Sequence, residues 1–310
     1  MQKATAEKPA VSVIVPVYNS PPGFFDLLDS IRLQKRDTPF EIVIADDASL
    51  DETASKAERY LKSMPNARVV RLAKNLGPAA ARNAGVKAAR SDAFLFIDSD
   101  CLLCDETFIA RFFAAHRAYP EVVIGGGIRG MGKGIVAFVD RFCHWVVAIP
   151  EKPAGPLVSG HMVTANLLIP RRAFEAVGGF DVTLRTGEDT AFCLKARELG
   201  IPLRFHGELM LVHHDRERAR DFLMNLYLVG RDRAQSRISV FGKAPWFLAG
   251  PAPLRWLLVI PIALALTARN LRSWLPYDWR VLVALPGIFL GMAAMAVGVA
   301  VGRNPFIERY

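Results

Sequence analysis

Phe94-Leu95-Phe96-Ile97-Asp98-Ser99-Asp100 is the stretch from which the fold of this 310-residue chain can be worked out. The residues from Ala93 to Ile97 are all apolar, which is typical of a strand buried on both faces of a parallel sheet. Carboxylates that follow such a strand lie at the rim where open α/β sheets bind ligands. Asp98 and Asp100 can point to one side of an extended chain, and two oxygen ligands near a phosphate suit Mg²⁺ or Mn²⁺. Taken alone, the motif is better interpreted as an acidic turn, because Asp is a common turn residue.

Further strands and helices alternate on the N-terminal side of this stretch. Strand-like runs cover residues 11–17, 41–45 and 67–72, and helical patterns cover 24–31, 52–61 and the Ala-rich segment that begins at Pro78. This alternation predicts a parallel, three-layer α/β sheet. Right-handed crossovers bring the carboxyl ends of parallel strands to one edge of the sheet. We therefore expect one crevice to be faced by Asp46, Asp47, Asn75, Asp98 and Asp100.

The C-terminal third carries most of the excess hydrophobicity. Hydrophobic residues make up 52% of the chain, and the mean hydropathy is +0.21. Residues 281–302 contain no charge and are long enough to cross a bilayer as a helix. A second apolar segment, about 245–268, is interrupted by Arg255 and three prolines. The sequence predicts a membrane region over 241–310 with these two segments.

The charge distribution and the N-terminus indicate how the chain associates with a membrane. Residues 1–10 have no apolar core, which predicts a flexible N-terminus rather than a signal peptide and leaves the front of the chain in the cytoplasm. The net charge is +9, and basic residues cluster over 216–243 and 269–280, beside the apolar segments. An ordinary solvated helix face is the alternative. We predict a multi-pass cell-membrane protein that contacts the lipid bilayer and no nucleic acid.

Four motifs together resemble a known family. They are VSVIVPVYN from Val11, ADDAS-x-D from Ala45, N-x-G-x-x-x-A-R-N-x-G from Asn75, and FLFIDSD from Phe94. Each is weak alone, but their order and spacing resemble the nucleotide-sugar half of family 2 glycosyltransferases. The resemblance covers about residues 11–240. It implies a GT-A (Rossmann-like) α/β domain there, followed by the C-terminal transmembrane helices.

The resemblance implies a donor site at the strand ends. It implies that the nucleotide is bound by Pro16, Val17, Tyr18, Asp46, Asp47, Asn75, Gly77, Arg82 and Asp98. Asp47, or its neighbour Asp46, would accept a hydrogen bond from the N–H of uracil or guanine. Asn75 to Arg82 lie at a helix start, which favours anions. The alternatives are an Asx-type turn that caps the next helix for the Asp pair, and a surface position for Arg82.

The resemblance also implies the metal and the catalytic base. Asp98 and Asp100 would hold Mg²⁺ or Mn²⁺ against the diphosphate, with His213 completing the metal site. Asp189 would be the general base, and Glu188 would support the helix start or the acceptor. An acidic pair in the first turn of a helix also occurs for dipole reasons alone, and paired histidines at a strand end are often surface groups.

The acceptor side resembles the family less closely. The segment 230–237 includes Arg231 and Arg233, but it departs from the Q-x-x-R-W motif of processive synthases, so we predict addition of a single sugar. The predicted activity is inverting transfer from a UDP-, GDP- or dTDP-sugar to a lipid-linked or cell-envelope glycan, with the catalytic domain in the cytoplasm. The alternatives are an inactive nucleotide-sugar-binding scaffold and a nucleotidyltransferase. Asp189 argues against both.

Overall fold

The computed structural model describes residues 8–21, 23–35, 37–62, 64, 66–242 and 251–302, with the side chains of 233–239 left out. Most of the N-terminal stretch 1–10 therefore lies outside the described residues. The strands are β1 (Val11–Val17), β2 (Phe40–Asp46), β3 (Ala67–Arg71), β4 (Ala93–Ile97), β5 (Cys101–Leu103), β6 (Val123–Met131), β7 (Gly155–Pro156), β8 (Asn166–Pro170) and β9 (Leu203–His214).

The helices alternate with the strands in the first half and gather at the C-terminus. They are α1 (Phe24–Arg32), α2 (Thr53–Leu61), α3 (Pro78–Ala88), α4 (Phe108–Ala118), α5 (Gly134–His144), α6 (Arg171–Val177), α7 (Glu188–Glu198), α8 (Ala219–Phe241), α9 (Ala252–Leu257), α10 (Val259–Trp274) and α11 (Val281–Val301). A short 3₁₀ helix, Trp145–Val147, follows α5.

The strands form one mixed sheet in the order β3-β2-β1-β4-β8-β6-β9-β5, with β7 beside β9. The first four strands are parallel, as the sequence predicts. The expectation of a parallel sheet does not extend further, because β8 is antiparallel to β4. Asn166, the first residue of β8, pairs with Ile97, the last residue of β4. The chain therefore enters β8 at the edge where β4 ends, and no crossover back to the other edge is needed.

Helices cover both faces of the sheet and produce two hydrophobic clusters. Alternate residues of β1 divide between them, with Val13 and Val15 in one cluster and Ile14 in the other. The same division in β4 sends Leu95 to the first cluster and Phe94 and Phe96 to the second. This alternation is what a strand buried on both faces requires. The three-layer arrangement leaves only the strand ends free to form a cleft.

One helix among the described residues, α11, is long and apolar enough to cross a membrane. The other predicted segment, 245–268, falls partly on residues 243–250, which lie outside the described part. Its remainder is split between α9 and α10, which meet at Leu258. The structure therefore does not contain a second long apolar span in the described residues. The break at Leu258 lies between Pro253 and Pro261, and a proline has no N–H to donate to the helical hydrogen-bond ladder.

Glycines let α11 approach its neighbours closely. A Cβ atom at Gly298 would lie 2.1 Å from the carbonyl oxygen of Tyr227 in α8, and one at Gly287 would lie 2.6 Å from Val139 in α5. Small residues permit this kind of backbone contact between apolar helices. Residues of α11, including Ile288 and Met292, share the larger hydrophobic cluster with β1 and α1.

This contact leads to a stability prediction. We expect Gly298→Ala to lower the free energy of unfolding in detergent by about 1–3 kcal/mol, because the added methyl group overpacks the α8–α11 contact. Val297→Ile adds one carbon at the neighbouring, half-buried position and should change stability by less than about 0.5 kcal/mol. Chemical denaturation of both variants measures the difference. Equal effects would mean that α11 does not pack on α8 at Gly298.

Candidate active site

A cavity of about 440 Å³ lies at the carboxyl ends of the parallel strands. Its size is within the range of ligand pockets, roughly 300–1,000 Å³. It is lined by Pro16, Val17, Tyr18, Asp47, Asn75, Gly77, Pro78, Ala81, Arg82, Asp98, Ser99, Asp100 and Arg185. Of the residues predicted to bind nucleotide or metal from the sequence, this set lacks only Asp46 and His213. Motifs separated by more than eighty residues are thus brought together around one space.

Asp47 connects the end of β2 to the loop before α3. Its two carboxylate oxygens accept hydrogen bonds from the backbone N–H groups of Leu76 and Gly77, each at 2.8 Å. Gly77 has a φ of +93°, a backbone conformation that residues with a side chain rarely adopt. The N-x-G pattern therefore shapes the cavity wall. Each carboxylate oxygen of Asp47 retains a lone pair with which a ligand N–H could bond.

Asp46 is turned away from the cavity. Its side chain is fully buried and accepts hydrogen bonds from the hydroxyl and backbone N–H of Ser49, and it forms an ion pair with Arg71 at 3.3 Å. The backbone closes this turn through Ala48, which has a φ of +59°. For Asp46 the structure thus corrects the expectation of a nucleotide contact and favours the alternative of an Asx-type turn. Only Asp47 of the pair lines the cavity.

Arg82 joins the Asp98-Ser-Asp100 motif to helix α7. One guanidinium nitrogen lies 2.6 Å from a carboxylate oxygen of Asp98, and another lies 2.6 Å from a carboxylate oxygen of Glu188. The side chain of Arg82 is 4% exposed, which rules out the alternative of a surface position. Burial acts to lower the pKa of Arg82, but the charges of Asp98 and Glu188 raise it above its usual value. This ion-pair bridge sets the position of α7 relative to the cavity.

Glu188 and Asp189 begin α7 but have different surroundings. Glu188 is buried on the donor side against Arg82, so the structure does not place it with an acceptor. Burial, with the charge of Asp189, raises the pKa of Glu188 to about 7. Asp189 is half-buried and accepts a hydrogen bond from the backbone N–H of Thr190 at 2.5 Å. Burial also raises the pKa of Asp189, which makes its carboxylate a stronger base than an exposed aspartate.

His213 lies behind Asp100 at the end of β9. Its Nε2 is 3.2 Å from Asp100, and its Nδ1 is 3.2 Å from Asp215, which also accepts a hydrogen bond from the Trp145 indole. Burial acts to lower the pKa of His213, but the two carboxylates raise it to about 10. The two carboxylates thus favour the protonated imidazole, whereas a metal ligand must be a neutral one. It would bind a metal only after losing its proton.

The donor set at the cavity suits a divalent cation that is shared with a ligand. Asp98 and Asp100 both line the cavity, and their side chains are 31% and 34% exposed. No group of three His, Cys, Asp or Glu side chains within the described residues forms a preassembled cation site. Mg²⁺ is commonly bound by one or two carboxylates together with substrate phosphates. The two aspartates fit that pattern, with the remaining ligands supplied by a diphosphate and water.

Arg185 is a lining residue that the sequence analysis missed. It lies in the loop before α7, is exposed, and donates a hydrogen bond to the side-chain oxygen of Asn75 at 3.0 Å. It therefore places a second cation in the cavity beside Arg82. A basic residue shortly before the Gly187-Glu-Asp189 sequence is the only signal, and it is indistinguishable from a surface arginine.

The structure says less about the two arginines that the sequence predicts on the acceptor side, Arg231 and Arg233. Arg231 lies on α8, and its guanidinium pairs with the adjacent Asp232 at 2.8 Å. Asp232 in turn accepts a hydrogen bond from the Thr186 hydroxyl, at 3.4 Å, in the loop before α7. The side chain of Arg233 lies outside the described residues. Arg231 is therefore connected to the region of Asp189 through one carboxylate.

Proteins with similar sequences are named as glycosyltransferases. Pre-mycofactocin glycosyltransferase of Mycobacterium tuberculosis strain H37Rv is 25% identical over 261 residues, which is 80% of this chain and 52% of that protein. The chain thus spans about half the length of this relative. Glycosyltransferase AglE of Haloferax volcanii is 25% identical over 258 residues, which is 80% of this chain and 83% of that protein.

Solved structures show where else this fold occurs. Mannosyltransferase PcManGT from Pyrobaculum calidifontis, in complex with GDP-Man and Mn²⁺, superposes with a TM-score of 0.65 at 21% identity. This match covers 98% of this chain and 89% of that one. TarS residues 1–349 of S. aureus, in complex with UDP-GlcNAc, gives a TM-score of 0.55 at 19% identity over 94% of this chain and 89% of that one. These likenesses confirm the predicted GT-A fold.

Family membership rests on the N-terminal half of the chain. The family described as Glycosyl transferase family 2 matches residues 12–175, which is more than half of the 310 residues. Apart from Val11 at the start of the first motif, the matched range contains the four motifs, and it contains every residue that lines the cavity except Arg185. The chain belongs to glycosyl transferase family 2.

Proposed function

We propose that the protein is a membrane-anchored, metal-dependent, inverting glycosyltransferase. It would move one sugar from a nucleoside-diphosphate sugar to a lipid-linked or cell-envelope glycan, with its catalytic domain in the cytoplasm. One observation carries the proposal: Arg82 links Asp98 in the cavity to Glu188, the neighbour of Asp189. This bridge connects the donor cavity to the start of the helix that carries the candidate base, a connection that a scaffold protein would not need.

Two further observations support the donor class. The cavity combines acceptor groups at Asp47 with the two cations Arg82 and Arg185, a combination that suits a base N–H and a diphosphate. The PcManGT structure is a complex with GDP-Man and Mn²⁺, and the TarS structure is a complex with UDP-GlcNAc. A divalent cation held by Asp98 and Asp100 would act as a Lewis acid toward the departing nucleoside diphosphate.

The residues of this chain would bind the nucleoside, neutralise the charge on the diphosphate and accept a proton. Tyr18 and Asp47 would orient the nucleoside, while Arg82 and Arg185 neutralise charge that grows on the diphosphate. Asp189 would take the proton from an acceptor hydroxyl as that oxygen forms its bond to the anomeric carbon. The bond from that carbon to the diphosphate breaks in the same displacement, which inverts the anomeric configuration. Asp189 does not line the donor cavity, which is consistent with a position on the acceptor side.

The metal site gives the direct test of the donor half. We expect the double variant Asp98→Ala/Asp100→Ala to lose Mn²⁺-dependent binding of UDP, GDP or dTDP, because the ion would have no protein ligand. Isothermal titration of the detergent-solubilised full chain, with and without Mn²⁺, measures this. Asp92→Ala removes an exposed carboxylate at the opposite end of β4 and serves as the matched control. Unchanged Mn²⁺-dependent affinity in the double variant would refute the assignment of these ligands.

The donor and acceptor can be identified in one assay. Labelled UDP-, GDP- and dTDP-sugars are incubated with the purified chain and a membrane lipid extract, and the transferred label is recovered from the lipid or glycan fraction. Transfer from one donor class supports the proposal. Binding of a nucleotide sugar without transfer from any donor would favour the inactive scaffold instead.

A further inference from the structure

A second cavity lies beside the start of α7. It has a volume of about 190 Å³ and is lined by Gly187 and Thr190, which flank Glu188 and Asp189 in the sequence. Its other lining residues include Val146 of the 3₁₀ helix, Arg269 of α10 and Met295 of α11. The volume is below the roughly 300–1,000 Å³ of pockets that enclose drug-sized ligands. The cavity can therefore hold a head group but not a whole nucleotide or oligosaccharide.

Arg269 is a cation at this cavity without a carboxylate partner in the described part of the chain. Its buried Nε has no hydrogen-bond partner among the described residues, and its guanidinium donates a hydrogen bond of 3.3 Å to the side-chain oxygen of Asn270. None of the described lining residues is Asp or Glu. Arg269 is half-buried, and a cation that loses part of its hydration without gaining an opposite charge is destabilised, so an anionic ligand is a suitable counterpart.

Lys152 adds a second positive charge next to this cavity, although it is not one of the residues that line it. Its ammonium group donates a hydrogen bond of 2.8 Å to the carbonyl oxygen of Val146, a lining residue. Burial lowers the pKa of Lys152, and the charge of Arg269 lowers it further. Burial alone lowers the pKa of Arg269. Both shifts have the sign expected of cations that lack a negative neighbour.

The nearby carboxylates have other partners. Asp140 lies 2.6 Å from the ring of His144 and 3.4 Å from Arg216. Asp232 is paired with Arg231 at 2.8 Å. Neither carboxylate forms an ion pair with Arg269 or Lys152 among the described residues. The arrangement thus combines two uncompensated cations with an apolar wall that includes Val146 and Met295.

We propose that this cavity binds the phosphate of a lipid-linked acceptor, with Arg269 and Lys152 contacting the phosphate and the apolar wall contacting the lipid chain. The inference rests on the proposed function, because it names the acceptor class of the same enzyme. The phosphate would anchor the acceptor and would take no part in forming the glycosidic bond. An acceptor hydroxyl positioned by this phosphate would lie beside Gly187 and Thr190 and would give its proton to Asp189, which lies between them in the sequence.

The test measures binding of radiolabelled phytanyl phosphate to the detergent-solubilised full chain. Arg269→Gln and Lys152→Gln should each weaken binding by about 10-fold to 100-fold, as expected for loss of one charge-assisted hydrogen bond. Arg272→Gln removes an exposed cation from the same helix and should bind as the wild type does. Having two independent variants keeps the test valid if one of them fails to fold.

Competition separates the possible sources of phosphate. Unlabelled phytanyl phosphate should compete, whereas phytanol and inorganic phosphate at equal concentration should not. Wild-type affinity in both Gln variants, or equal competition by phytanol, would overturn the proposal. Equal competition by phosphatidylglycerol or inorganic phosphate would overturn the acceptor assignment. Mn²⁺-dependent nucleotide binding is measured on the same samples, so a protein that binds nucleotide but not phytanyl phosphate refutes this inference alone.

Discussion

Asp189→Asn should reduce glycosyl transfer by about 10²–10⁴-fold, the usual contribution of a general base. The substitution keeps the size of the side chain and retains an oxygen that can accept the hydrogen bond from the Thr190 N–H. The start of α7 should therefore keep its conformation. Since Asp189 does not line the donor cavity, Mn²⁺-dependent nucleotide affinity should change little. Transfer rates and nucleotide titrations on the same preparation measure the two effects separately.

Glu198→Gln is the matched control, because it removes an exposed carboxylate from the other end of the same helix. It should leave transfer unchanged. Transfer by Asp189→Asn at near wild-type rate would refute the base assignment. A parallel loss of nucleotide binding would mean that Asp189 acts by shaping the donor site instead. A wild-type chain that binds nucleotide but transfers nothing would support the scaffold alternative.

Much of the donor half could be predicted from local sequence. An apolar run that ends in carboxylates determines both the strand and the edge at which the carboxylates lie, because side chains alternate and parallel strands end together. The same reasoning predicts β1, β2 and β4, and it predicts that Asp47, Asp98 and Asp100 lie around one cavity, as they do. It could not separate Asp46 from Asp47. The separation depends on the turn through Ala48, whose positive φ directs Asp46 toward Ser49.

The remaining features depend on contacts that have no sequence signature. Arg82 and Glu188 are separated by 106 positions, and nothing in either segment indicates that they form an ion pair. The antiparallel β8 follows from where the chain enters the sheet, which a pattern of apolar residues does not record. In the sequence, Arg269 is only one of several basic residues beside a predicted membrane segment. Its position in a cavity depends on how α10 packs against α11 and the 3₁₀ helix.

The second large expected effect is on stability and concerns the ion-pair bridge that Arg82 forms with Asp98 and Glu188. We expect Arg82→Gln to lower the free energy of unfolding by about 3–5 kcal/mol, because Glu188 would stay buried without its cation. Lys87→Gln removes an exposed charge from the same helix, α3, and should change stability by less than about 0.5 kcal/mol. Chemical denaturation in detergent measures both variants. A loss in Arg82→Gln no larger than that in Lys87→Gln would contradict a buried bridge.

The double variant Arg82→Gln/Glu188→Gln distinguishes the bridge from two unrelated contacts. Removing Glu188 together with Arg82 removes the uncompensated buried charge, so the double variant should be more stable than the sum of the single losses predicts, by about 0.5–3 kcal/mol. Strict additivity would mean that the two side chains do not interact in solution. Asp98 still loses its partner in both Arg82 variants. Nucleotide affinity should therefore stay reduced in the double variant even where stability recovers, which assigns Glu188 to the support of α7 and Arg82 to the donor site.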